Sequence, residues 1–443
     1  MLKKKCLEKR RLCLGFCAAA ALFFVGCSGT KIKGKRELLI TSLSEISVDK
    51  NLASTPFSLP ACKNKKQWLQ NQGGAAHEVG HLCLDAAGVK WLGRVSVGHA
   101  GGKQSLISNI VSYDGVLFVG TTQGNVVAVA ALAGKGVASA PRVLWKTALA
   151  TKIEDPSKIG GLAFLPGAGV VASAATGEVA LLDAQTGKVK KTQNLECALR
   201  SAPTLSKNRI FIQGNNNALF GLDHQLNLLW QHCDPPENVL FLGNGAPAVD
   251  RDSVVAVYST GEYKAYDEAS GSELWFDFMT ASSQDDTAAN VLHIYASPVI
   301  AGNLVFVLGH NGHLSANALH SGARVWSVPF SGIHTPALAG NWLFALDNEG
   351  AAFCFEKTTG KLRWRSALPE NKAKKRPKNW TAPLVLGGHV VVVTNSGDLV
   401  FFDAKDGRVV QILPSRVNNP SAAIVVDKVL YVLSSDGYLY AFG

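Results

Sequence analysis

One unit recurs along the chain and limits the kinds of structure the chain can form. Its clearest copy runs from Thr260 to Trp275, a frame that passes from Gly261 through Asp267 and Gly271 to Trp275. The frame returns as Gly350, Glu356, Gly360 and Trp364, and as Gly312, Gly322 and Trp326. It returns without the Trp as Gly177, Asp183 and Gly187, and as Gly397, Asp403 and Gly407. Degenerate copies centre on Gly124, on Asn217 (with Asp223 and Trp230) and on Gly437. The eight anchors are about 45 residues apart on average. That is the period of a four-stranded propeller blade, roughly 40–50 residues.

Local chemistry agrees with an all-β, eight-bladed β-propeller. Tight turns such as Asn311-Gly312 and Asp436-Gly437 need positive φ, which Gly supplies. Short apolar, largely β-branched runs flank them, for example Val390 to Val393 and Leu304 to Val307. The rings of Trp145, Trp230, Trp275, Trp326 and Trp364 fall at the start of each outer strand, where they can pack between blades. The last copy stops at Gly443 before its Trp strand, and an orphan Gly88-Val89-Lys90-Trp91 stands at the other end. The N-terminal strand is therefore expected to complete the last blade, with Trp91 as its packing ring. Closure of this kind leaves only short, protected edges.

The chain has 443 residues, 47% hydrophobic and 17% charged, which excludes a disordered or coiled-coil chain. Beyond one N-terminal stretch no run approaches the ~18 apolar residues of a membrane span, which excludes a polytopic membrane protein. The net charge of +11 is concentrated at one end: residues 1–36 hold ten Lys and Arg against Glu8, leaving +2 for the remainder. The body carries no basic excess of the kind a nucleic-acid partner requires.

The N-terminus reads as an address. Lys3 to Arg11 form a basic region, Leu12 to Gly26 an apolar region, and Gly26-Cys27-Ser28 places a small residue before a Cys. This resembles the bacterial lipobox, in which the Cys is lipidated and the preceding residues are removed. The organisation implied is a lipoprotein signal peptide over 1–26, a lipid-anchored linker over 27–64 and the propeller over 65–443. With Ser28 rather than Asp after the Cys, the expected destination is the periplasmic face of the outer membrane. Five Cys remain: Cys62, Cys83, Cys197, Cys233 and Cys354. They lack Cys-x-x-Cys spacing, which argues against a zinc ribbon or redox motif. Cys354, between Phe353 and Phe355, is expected to be a buried small hydrophobe. The sequence leaves open whether Cys62 and Cys83 are bonded.

Two enzymatic alternatives need weighing. His77-Glu78-Val79-Gly80-His81 matches the zinc-peptidase pattern His-Glu-x-x-His, which requires a helix. Gly73, Gly74 and Gly80 make a poor helix there. Leu84 and Ala87 stand where the metzincin extension would need Gly and His, and no further Glu follows until Glu154. The other alternative is a PQQ-dependent quinoprotein dehydrogenase, built on the same repeat. Eight blades consume roughly 360 residues, leaving little chain for the insertions that build a quinone site. No vicinal Cys pair is present, and no metal or cofactor is expected.

The frame Gly-x5-Asp-x3-Gly-x3-Trp resembles the PQQ-type propeller repeat. Combined with the lipobox, eight blades and an N-terminal closing strand, the chain resembles the BamB family of outer-membrane assembly lipoproteins. The segment Trp68, Gln70, Gly73-Gly74, His77, Gly80-His81 is similar to one in alphaproteobacterial members. The resemblance implies a non-enzymatic scaffold that docks on the periplasmic domains of a BamA-like barrel protein and aids insertion of outer-membrane β-barrels. It leaves open direct contact with unfolded barrel proteins by strand addition at a blade edge. By blade order, the implied partner loops hold Leu240, Phe241 and Leu242, followed by Asp285 and Asp286. By motif, Leu199-Arg200 ahead of Ser201-Ala202-Pro203 is a rival. The basic run Lys372 to Lys378 reads as a solvated loop tip.

Lipidation at Cys27 is directly testable. The mature protein should lack residues 1–26 and carry acyl mass, and Cys27→Ala should accumulate as precursor or become soluble. Intact-mass analysis and membrane fractionation read both outcomes.

Overall fold

Between the glycine turns the apolar residues come in runs of four or five, too short for helices. Each run lies within a strand, as Val390 to Val393 does in His389–Val393 and Leu304 to Val307 in Leu304–Leu308. The computed structural model describes residues 46–98, 108–121, 123–132, 141–149, 159–233, 245–279, 293–369 and 380–443. Among these residues the one α-helix is the single turn Lys50–Ser54; nearly everything else regular is strand.

The strands form eight antiparallel sheets, one per repeat. Blades 1 to 7 span 110–148, 159–194, 204–233, 248–278, 299–330, 337–367 and 384–414. Within each, strands A to D run in chain order from the axis outward. Blade 8 has three strands over 420–442 and takes its D strand from Trp91–Ser96, antiparallel to Tyr438–Phe442. The ring thus closes on the N-terminal strand, as the unfinished last repeat implied. A two-residue strand, His81–Leu82, also adds in parallel to strand A of blade 7.

The interior is a ring of interfaces. Each apolar cluster joins neighbouring blades: Val171 and Leu181 of blade 2 meet Ile210 and Phe220 of blade 3, and Tyr263 of blade 4 meets Val305 and Val307 of blade 5. Five Trp side chains reinforce these junctions in one way. Each starts a D strand and donates its indole N–H to a carbonyl in the C–D turn of the next blade. The pairs are Trp145 to Ala184 (3.0 Å), Trp230 to Glu268 (3.3 Å), Trp275 to Leu319 (2.7 Å), Trp326 to Lys357 (3.0 Å) and Trp364 to Ala404 (2.9 Å). The ring lies flat on the second Gly of the repeat. At Gly322, φ is +69° and a Cβ would sit 2.7 Å from Trp275, so that position excludes any side chain on two grounds.

Trp91 does not play this role. The residue opposite Ala441, where the register puts Trp145 opposite Ala128 and Trp275 opposite Ala265, is Gly93. Trp91 stands opposite Phe442, as Glu273 stands opposite Tyr266 in blade 4, and its side chain is 58% exposed. The same bulge precedes the Trp position in the other blades, so it does not displace the ring; the Gly-x-x-Trp spacing misled because the pairing brings Trp91 in two residues too early.

Described residues ahead of 65 also pack on the ring. Arg363 holds the entering segment. Its guanidinium donates to the carbonyls of Leu52 (2.7 Å) and Thr55 (3.0 Å) and to that of Lys405 (2.9 Å), and it lies against the rings of Trp342 and Phe57. Leu52 is buried against blades 6 and 7. Cys354 is fully buried, as expected, and Cys62 and Cys83 form a disulfide.

Trp275→Ala should cost about 3–5 kcal/mol in chemical denaturation, the usual range for an emptied Trp site. Trp91→Ala should stay within about 0.5 kcal/mol of the parent, as an exposed residue does.

Candidate partner-binding face

Antiparallel blades place all A–B turns at one end of the ring and all D–A connections at the other. The two ends differ because residues 57–84 make a circuit over the A–B end and touch every blade. Trp342 of blade 6 stacks on Phe57 at 4.9 Å and donates to the Ser58 carbonyl. Asp427 N–H of blade 8 donates to Lys65 O at 2.9 Å. Trp68 exchanges both backbone hydrogen bonds with Ser112 of blade 1, at 2.8 and 2.7 Å, and Phe164 N–H of blade 2 donates to Leu69 O. The buried Gln70 amide serves both backbone groups of Leu205 in blade 3. Val249 of blade 4 and Ile300 of blade 5 donate to Ala75 and Ala76, each at 2.8 Å, and Leu82 O accepts from Gly387 of blade 7. The Cys62–Cys83 disulfide ties the two legs of the circuit together.

The two His of the peptidase-like pattern belong to this cap. Residues 77–81 are not helical, and His77 has φ +60°. His81 Nε2 accepts from Gly388 N–H at 2.9 Å, which fixes Nδ1 as the donor to Pro60 O at 2.7 Å. Both of its nitrogens are occupied. His77 Nδ1 lies 2.8 Å from Pro298 O, and its Nε2 is buried with no partner. The imidazoles clamp different stretches of backbone, so the zinc-peptidase alternative loses the helix it requires. Among the described residues no group of three or more His, Cys, Asp and Glu side chains is arranged to hold a metal ion.

The opposite end carries the D–A loops and B–C turns. Of the sequence-derived partner residues, Leu199 and Arg200 lie here. Leu199 is fully buried in the interface of blades 2 and 3, so it is a core residue rather than a contact. Arg200 is half-buried, and its Nε is enclosed with no hydrogen-bond partner. Leu240, Phe241, Leu242, Asp285, Asp286, the run 372–378 and Cys27 lie outside the described residues. A group that sequence reasoning missed stands at this end near blades 5 and 6. Tyr295 packs against His293 at 3.9 Å and edge-on to His310 at 5.7 Å, and Asn348 donates to His310 O. His293-x-Tyr295 before an A strand and His310 at a B–C turn were the available signals.

The fold places the chain among the eight-bladed propellers of PQQ-type repeats. Residues 138–355 and 321–443 match the family described as outer membrane protein assembly factor BamB, and the chain belongs to that family. BamB of Yersinia pestis is 23% identical over 307 residues, covering 68% of this chain and 76% of that one. BamB of Legionella pneumophila is 22% identical over 205 residues, 46% of this chain. An uncharacterised protein of Rickettsia prowazekii is 27% identical over 206 residues, 45% of this chain. The chain spans about half the length of these last two relatives. Among solved structures, BamB of Moraxella catarrhalis superposes with a TM-score of 0.66 at 17% identity, covering 80% of this chain and 99% of that one. A quinohemoprotein alcohol dehydrogenase of Comamonas testosteroni also gives 0.66, at 13% identity over 89% of this chain and 82% of that one. These likenesses show the propeller alone.

The cap should make stability acid-sensitive. Burial pushes His77 down to about 4 from 6.5. The unfolded chain then binds a proton that the folded one refuses between those values, so stability is full above pH 6.5 and falls towards pH 4. The loss is on the order of 3 kcal/mol at most. Melting temperature measured from pH 7 to 4 should drop less in His77→Gln than in the parent.

Proposed function

We propose that the protein is a non-enzymatic, lipid-anchored scaffold of the machinery that assembles outer-membrane β-barrels, docking on the periplasmic domains of a BamA-like barrel protein. Family membership supports the assembly role. The observation that carries the choice of surface is the cap: with the A–B end covered by residues 57–84, the end with the D–A loops and B–C turns is left to meet a partner. A rigid ring positions such loops well. Arg200, half-buried at that end, is placed to offer its guanidinium to a partner carboxylate. Leu240, Phe241, Leu242, Asp285 and Asp286 belong to the neighbouring D–A connections and complete the proposed surface. Cys27 supplies the anchor.

Affinity purification from detergent-solubilised outer membrane should recover a BamA-like barrel with the parent. Leu240→Asp combined with Leu242→Asp, and separately Arg200→Glu, should reduce that recovery while leaving the melting temperature within a few degrees of the parent. Undiminished recovery with both folded variants moves docking away from the D–A face. A quinone-dependent oxidation by the purified protein overturns the reading.

A further inference from the structure

The cap carries its charge unevenly. The stretch Cys62-Lys63-Asn64-Lys65-Lys66-Gln67-Trp68 holds three lysines and no acidic residue. It crosses the A–B end from blade 7 past blade 8 to blade 1, and its backbone is tied along the way. Cys62 is bonded to Cys83. Lys63 N–H donates to His81 O at 2.9 Å, and Lys63 O accepts from Cys83 N–H at 3.1 Å. Lys65 O accepts from Asp427 N–H at 2.9 Å, and Ser112 holds Trp68. A fixed backbone therefore sets where the lysines stand.

Lys65 is not an ordinary surface lysine. Its ammonium lies 4.8 Å from the centre of the Trp68 ring, and Trp68 is 2% exposed. It also packs on Gly73, where a Cβ would come within 2.4 Å of Nζ. The next residue, Gly74, has open space where a side chain would stand. The ammonium thus lies across the cap, against an indole and bare backbone, instead of reaching into water. Burial pushes its pKa down to about 8, and the charge of Lys63 adds to the effect.

No carboxylate answers this charge. Elsewhere on the ring cations are paired: Lys190 with Asp183 at 3.0 Å, Lys361 with Asp49 at 3.0 Å and Arg324 with Asp277 at 2.6 Å. Among the described residues Lys63, Lys65, Lys66 and Lys428 form no ion pair. Lys428 shares the blade 8 turn with Asp427 and is exposed, as are Lys63 and Lys66. The turns that the stretch crosses contribute two acidic groups, Asp427 and Asp114 of blade 1, both exposed and neither paired with these lysines. A desolvated cation without a counter-charge is costly, and an anion from outside removes that cost.

We propose that this part of the cap binds a phosphate-bearing anion, held by the Lys65 ammonium with Lys63, Lys66 and Lys428 around it. The charge count selects phosphate over carboxylate. A phosphate ester brings up to about two negative charges and three acceptor oxygens, which suits several ammonium groups with three donors each. A carboxylate would offset one of them. The donors are all lysines, which act as point charges on phosphate, and no arginine fork is present to grip a carboxylate in two places. The phosphate is that of a lipid headgroup or a free anion. The site lies at the end of the ring opposite the D–A loops and does not rest on the docking reading.

The test uses the full-length mature protein in neutral detergent micelles, titrated calorimetrically with inorganic phosphate. Phosphate should bind. Lys65→Met keeps an apolar stem on Trp68, so it should weaken binding about tenfold or more without lowering the melting temperature. Binding by the parent should weaken from about pH 7 to about pH 9, because Lys65 loses its proton across that range, and Lys65→Met should lose this dependence. If Lys65→Met melts early, Lys63→Gln combined with Lys66→Gln, both at exposed positions, must cost about threefold or more. The titration is repeated in micelles doped with phosphatidic acid. Loss of phosphate binding there assigns the site to a lipid headgroup, unchanged binding assigns it to free phosphate, and either result supports the site. Equal binding by parent and Lys65→Met overturns the proposal, as does absence of phosphate binding. So does binding that about 150 mM sodium chloride abolishes, because salt screens a solvated lysine face far more than a partly buried ammonium.

Discussion

The indole N–H bond from one blade to the next governs most of what this sequence must contain. A four-stranded sheet exposes two broad faces and is stable here only when pressed between neighbours. The Trp at the start of each D strand spans that gap, buries its ring and satisfies its polar atom on a turn carbonyl. For the ring to lie flat, the turn it meets must carry Gly. The repeat is therefore a contract between adjacent blades: the Trp of one copy requires the second Gly of the next. That dependence explains why Gly187, Gly271, Gly322, Gly360 and Gly407 recur at a fixed distance after the turn that opens each frame.

Three junctions lack the Trp, and each is served otherwise. Lys191 takes the position in blade 2 and reaches Asn227 Oδ1 in the C–D turn of blade 3 at 2.8 Å. Gln411 stands there in blade 7 and Gly93 in blade 8. Blades 7, 8 and 1 instead share one apolar cluster with Trp68, Val79, Leu82, Leu84, Ala86 and Val89. The segment before the closing strand thus supplies packing where the repeated device is missing, at the place where the two ends of the chain meet.

The same segment gives the ring two unlike ends. A propeller of near-identical blades has no intrinsic reason to prefer one face. Here residues 57–84 cover the A–B end of all eight blades, tied at their base by Cys62 and Cys83, and leave the D–A loops at the other end outside the cap.

The repeat period, the Gly turns and the unfinished last copy determined the eight blades and their closure from sequence alone, because these are local or periodic signals that survive in one dimension. Burial of Cys354 was equally legible from its apolar neighbours. Other features needed the third dimension. Pairing with the last strand puts Gly93 rather than Trp91 at the interface, and nothing in the Gly-x-x-Trp spacing reports on register. The His77 and His81 pattern matched a metal site in spacing, yet a positive φ at His77 and hydrogen bonds to backbone from distant blades make both cap residues. Leu199 looked like a contact and is core, since burial depends on the neighbouring blade. Leu274, Phe276 and Phe278 alternate along one strand and are each about half exposed or more. Only the ring shows that they face outward, because which side of an outer strand meets solvent is decided by the blade packed against its other face.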